Sequence, residues 1–118
     1  MAASHTILLS LGSNEGNRVY YLQKALFLLQ EKAGLIRKIS PVYESPSWGF
    51  DSGDFLNICL EMETLLNPSD LLETLLEIEQ NLGRKRSVEE GYQKRTIDID
   101  ILYYDNLVQK DESLVLPH

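Results

Sequence analysis

A single cysteine, Cys59, is all that the 118 residues carry, so no disulfide can close within the chain. Set in an apolar run, Cys59 reads as a small core residue, and the lack of disulfides fits a reducing cytoplasm. Long apolar runs are missing as well. No stretch approaches the roughly 20 residues that cross a membrane, and the start of the chain turns directly into a short apolar run without a signal-peptide pattern. Positive charge is scarce: 11 Lys and Arg stand against 18 Asp and Glu, a formal charge of −7. That balance argues against a general nucleic-acid or anionic-membrane binder. There is no internal repeat, no low-complexity segment and no Gly-rich phosphate loop of the GxxxxGKS/T type. What is present, 43% hydrophobic and 25% charged residues, suits one globular domain over residues 1–118.

Periodicity orders the chain. Thr6 to Leu11 reads as a buried strand followed by a turn at Gly12-Ser13-Asn14. Asn17 can cap a helix reaching about Lys32, with Leu22, Ala25, Leu26 and Leu29 as its apolar stripe and Gly34 as its stop. Ile36 to Tyr43 reads as a second strand, in which Pro41 marks an edge or a kink. Glu44 to Asp54 is too long for a tight turn; its Trp48 either stands exposed or folds back on the core. Phe55 to Glu63 alternates, with Leu56, Ile58, Leu60 and Met62 on one face and Phe55, Asn57, Cys59 and Glu61 on the other. Asn67-Pro68 opens a second helix to Leu82, with Leu71, Leu75, Ile78 and Leu82 buried and Gly83 ending it. Thr96 to Tyr104 is the last strand, and the remainder reads as turns with an apolar patch at Leu114 to Leu116. The order β-α-β-β-α-β predicts an α+β, ferredoxin-like domain: an antiparallel sheet with two helices on one face and a site on the open face.

The chemistry points to Ile97-Asp98-Ile99-Asp100-Ile101. A period of two puts the isoleucines on one face and both aspartates on the other, roughly 6.5–7 Å apart along the strand. One reading is a plain solvated face. Asp is depleted in strands, however, and like charges on one face repel, so the pair calls for a compensating cation. Oxygen-only ligands favour Mg²⁺ or Mn²⁺, usually completed by substrate phosphates. Five of the eleven basic residues lie between Arg84 and Arg95: Arg84, Lys85, Arg86, Lys94 and Arg95. Arginines beside metal-binding carboxylates suit a polyphosphate substrate. Glu79, beside the apolar stripe of the second helix, reads on its own as a helix-surface acid, and His118 as a terminal residue without a role. No side chain stands out as a general base.

Six motifs occur in order: Leu11-Gly12-Ser13-Asn14, Tyr43-Glu44-Ser45-Pro46, Asp54-Phe55-Leu56-Asn57, Glu79 followed after four residues by Arg84, Arg95-Thr96-Ile97-Asp98-Ile99-Asp100, and Leu116-Pro117-His118. Together they resemble the 6-hydroxymethyl-7,8-dihydropterin pyrophosphokinase family over nearly the whole chain. The resemblance implies transfer of pyrophosphate from ATP to the pterin hydroxymethyl group, with release of AMP, in folate biosynthesis. It implies two Mg²⁺ ions on Asp98 and Asp100, and catalytic arginines at Arg84 and Arg95. Nucleotide contacts are implied at Glu79, Arg86, Tyr92 (where the family often has Trp), Ile101 and His118. The pterin would be held by Ser45, Pro46, Trp48, Phe55, Asn57 and Asp98. Phe55 and Asn57 also fall on the open face by strand parity. The chain departs from the family by stopping at His118, before another arginine and the aromatic that in the family stacks on the second face of the pterin. The alternative is therefore a weakly catalytic ATP- and pterin-binding member. Otherwise the expectation is a monomer, or self-association that completes the site.

Overall fold

The alternation read in the sequence sets the two central strands. The computed structural model describes residues 4–14, 16–46, 54–83 and 97–105. Its elements run β1 (His5–Ser13), α1 (Arg18–Lys32), β2 (Leu35–Ile39), β3 (Tyr43–Ser45), β4 (Phe55–Thr64), α2 (Pro68–Asn81) and β5 (Asp98–Tyr104). Strand order is β2-β4-β1-β5, with β3 also paired to β4, and every pairing is antiparallel. The ferredoxin-like α+β arrangement expected from the order of elements is present.

Ile7, Leu9 and Leu11 of β1, alternate residues Leu56 to Met62 of β4, and Ile97, Ile99 and Ile101 meet Leu22, Ala25, Leu29, Leu71, Leu75 and Ile78 in one core. Both helices therefore cover the same face of the sheet. The side chains of Asn17 and Asn67 cap α1 and α2 by accepting from the Tyr20 and Asp70 amides at 3.0 and 2.8 Å. Gly34 follows α1 where a Cβ would run into the Glu63 carbonyl.

Three expectations are corrected. The strand expected over Ile36 to Tyr43 breaks at residues 40–42 into β2 and β3. At Pro41 no backbone N–H can join the ladder, while Ser40 keeps its place through its own amide to the Cys59 carbonyl and through its Oγ, which accepts from the Cys59 amide. Cys59 is half-buried rather than in the core, because its odd-numbered position on β4 faces away from the helices. Glu79 is not a surface acid; it is 2% exposed.

β5 changes phase along its length. Leu9 pairs with Ile101 but Leu8 pairs with Tyr103, a bulge that leaves Leu102 without a partner across the ladder. Before it the odd residues face the core; after it Tyr104 does, with its hydroxyl donating to the Leu66 carbonyl at 2.6 Å. Burial, and then the charge of Asp105, push the Tyr104 phenol above its ordinary value.

Candidate active site

The open face carries a row of residues set by register. Asp98 on β5 stands opposite Gly12 on β1, and Gly12 opposite Asn57 on β4, with Tyr43 on β3 beyond. The next row is Asp100, Ser10 and Cys59. Both aspartates are half-buried on this face, and the isoleucines beside them are in the core. This is the division that the strand period predicts.

Asn57 is held by its amide nitrogen, which donates to Ser45 Oγ at 2.9 Å and to the Tyr43 and Phe55 carbonyls at 3.3 Å. Two of these partners are carbonyls that can only accept, which fixes the orientation of the amide. Its Oδ1 then faces Gly12: a Cβ built there would lie 3.0 Å from Asn57 Oδ1 and 3.2 Å from Phe55 Cδ1. The missing side chain at Gly12 is thus what lets Asn57 and Phe55 lean over β1. The sequence places Gly12 in a turn after the first strand, whereas β1 runs on through Ser13; a glycine inside a strand signals close approach. The Tyr43 hydroxyl and Cys59 Sγ lie 3.7 Å apart. That contact, and then burial, raise the Tyr43 phenol above its ordinary value.

Two contacts brace the ends of this face. Arg18 Nη1 donates to the Asp54 carbonyl at 2.8 Å and lies 3.4 Å from Glu44 Oε2, so the start of α1 ties together β3 and the approach to β4. Glu79 Oε2 accepts the Ile99 amide at 2.7 Å, so α2 reaches β5 between the two aspartates. The signal for this was the spacing of Leu71, Leu75 and Glu79, an i, i+4 row along the buried side of α2.

Of the residues singled out from sequence, Ser45, Phe55, Asn57, Asp98 and Asp100 share the open face, and Pro46 follows at the end of β3. The Ile101 side chain is in the core, 3% exposed, and turned away from the open face. Trp48, Arg84, Arg86, Tyr92, Arg95 and His118 lie outside the described residues. Among the described residues no three His, Cys, Asp or Glu side chains gather as a ready-made metal cage. Two carboxylates from one strand do suit Mg²⁺, which takes one or two protein carboxylates and fills its remaining positions with phosphate and water. No helix of the described residues is long and apolar enough to cross a membrane.

A ferredoxin-like α+β sheet with a carboxylate pair and an oriented amide on its open face is the class of domain that these elements define. Residues 8–118 match the model of the family described as 7,8-dihydro-6-hydroxymethylpterin-pyrophosphokinase (HPPK), and the chain belongs to that family. It is 46% identical over 115 residues to the bifunctional protein FolKE of Lactococcus lactis, covering 96% of this chain and 32% of that one. It is 45% identical to the 2-amino-4-hydroxy-6-hydroxymethyldihydropteridine pyrophosphokinase of Aquifex aeolicus, covering 96% of this chain and 69% of that one. The fold is similar to the crystal structure of Plasmodium falciparum HPPK-DHPS, with a TM-score of 0.71 at 18% identity over 89% of this chain and 30% of that one. The chain spans about a third of the length of the FolKE relatives.

Proposed function

We propose that this chain transfers the pyrophosphoryl group of ATP to the hydroxymethyl oxygen of 6-hydroxymethyl-7,8-dihydropterin, releasing AMP. The observation that carries the reading is the row Asp98, Gly12, Asn57: a carboxylate, a glycine that lets its neighbours close in, and an oriented amide in register across three strands. A flat heterocycle would lie against the Asn57 amide and the Phe55 ring, which Gly12 allows to lean over β1. Asn57 offers a fixed acceptor for a ring N–H, and Phe55 beside it offers an aromatic surface for the ring. Ser45 holds Asn57 in place, and Pro46 and Trp48 are the further pterin contacts of this reading.

The substrate hydroxyl attacks the β-phosphorus in line. A new O–P bond forms, the bond from the β-phosphorus to the oxygen it shares with the α-phosphorus breaks, that oxygen leaves with AMP, and the hydroxyl proton is released. Asp98 and Asp100 would hold the Mg²⁺ ions, which supply charge neutralisation of the triphosphate and lower the pKa of the attacking hydroxyl. Asp98, in the same row as Asn57, orients the hydroxyl, and Asp100, one row further, faces the phosphates. Arg84, Arg86 and Arg95 take phosphate oxygens, and Tyr92, His118 and the Ile101 backbone take the rest of the nucleotide.

AMP formation from ATP, measured with and without the pterin and with and without Mg²⁺, tests the reading. It should require all three components and fall by about a hundred-fold or more in Asp98→Asn and in Asp100→Asn. An ATP analogue bound with no AMP formed would favour a binding protein instead. Turnover that survives both substitutions would remove the aspartates from the mechanism.

A further inference from the structure

Among the described residues β5 lies at an edge of the sheet, with β1 as its one neighbouring strand. Amides on the outer side of an edge strand have no ladder partner and need another acceptor. At Ile99 that amide is taken by Glu79, whose Oε2 lies 2.7 Å away in a buried bond. Ile99 is the residue between Asp98 and Asp100. Fixing its peptide therefore fixes the two positions from which the carboxylates leave the strand. Packing alone gives no reason for an acid here. Leu75 and Ile78, the neighbours of Glu79 on the buried side of α2, are in the apolar core, and Glu is rarely buried unless its carboxylate is engaged.

We infer that Glu79 is a positioning residue for the metal-binding pair: its bond to the Ile99 amide holds β5 in the shape that sets Asp98 and Asp100 to share cations with a polyphosphate. The inference rests on the preceding reading that these aspartates hold metal. Groups that orient metal ligands are commonly as consequential as the ligands themselves.

The test is a Mn²⁺ titration of the folded protein with a non-hydrolysable ATP analogue, followed by water-proton relaxation, alongside binding of AMP without metal. Glu79→Met, which keeps the volume and removes the acceptor, should raise the Mn²⁺ midpoint about ten-fold or more while AMP affinity stays at the wild-type value. Glu79→Gln, which keeps an acceptor oxygen, should restore most of the midpoint. Glu79→Asp, one methylene short of Ile99 but still charged, should shift it as Met does, and serves if the Met variant does not fold. A wild-type midpoint in the Met or Asp variant overturns the inference while leaving the aspartates as ligands. Loss of AMP affinity in step with the midpoint also overturns it, making Glu79 a direct nucleotide contact. If the wild-type protein itself binds the analogue without regard to Mn²⁺, the metal reading fails and this inference fails with it.

Discussion

Gly12 lies between the two halves of the candidate site, with Asp98 on one side and Asn57 on the other. Ala at this position would press on Asn57 Oδ1 and Phe55 Cδ1, and displacing groups that orient a substrate is costly even when the shift is small. Gly12→Ala should therefore raise KM for the pterin about ten-fold or more, with affinity for the ATP analogue unchanged. Steady-state kinetics with each substrate varied in turn would show this, and an unaltered pterin KM would sink it. Asp98 and Asp100 were legible in the sequence because strand period alone sorts them from the isoleucines. Glu79 was only half legible. Its spacing in the helix was visible, but its partner is a backbone amide twenty residues away in sequence, and backbone groups carry no signature in side-chain pattern. Cys59 was misread for a related reason. The composition of its neighbours suggested a core residue, whereas its parity, which also lay in the sequence, put it on the open face.

Elements joined end to end carry the rest. Past its last residue, β5 is fastened to the start of β1. Asp105 adopts a left-handed φ of 50°, its Oδ1 accepts the Thr6 amide at 2.7 Å, and its Oδ2 lies 2.6 Å from His5 Nδ1. His5 also packs against the Tyr104 ring, with centroids 5.0 Å apart. The hydrogen bond from His5, and then that from Thr6, lower the Asp105 pKa from its ordinary 3.8. Since the folded-state value is the lower one, the stabilisation is fully present above 3.8. It shrinks as pH falls below that value and is gone once pH passes below the folded-state pKa. Urea unfolding across the acid limb should show this loss in the wild type and not in Asp105→Asn; parallel limbs would refute it. At the start of α2, Asn67→Ala removes the cap on the Asp70 amide and should cost about 1 kcal/mol, read in the same experiment. Both helix starts were evident from their capping asparagines. The break between β2 and β3 was foreshadowed only by Pro41, because a proline tells where a strand yields and not how the pieces pair.

Across the molecule, one core between the sheet and two helices holds the site indirectly, by keeping β1, β4 and β5 in register. Leu75 is essentially enclosed, whereas Phe27 on the outer side of α1 is 76% exposed. Leu75→Ala should cost about 2–5 kcal/mol, and Phe27→Ser should change stability by no more than about 0.5 kcal/mol. Equal effects in denaturant unfolding would contradict the division between core and surface. The fold class was readable because the order and periods of the elements leave few ways to bury two amphipathic helices on one sheet. The bulge in β5 was not readable, since it depends on which residue of β1 each residue meets. Its effect is that one strand satisfies two unrelated demands: aspartates turned outward at one end, and an anchored tyrosine turned inward at the other. Between them Leu102 sets the phase. Removing that one residue would rotate Tyr104 out of the core or the aspartates out of the site, whatever residues filled the remaining positions. Natural variation at this place in the strand should therefore be free in residue type and closed to insertion or deletion.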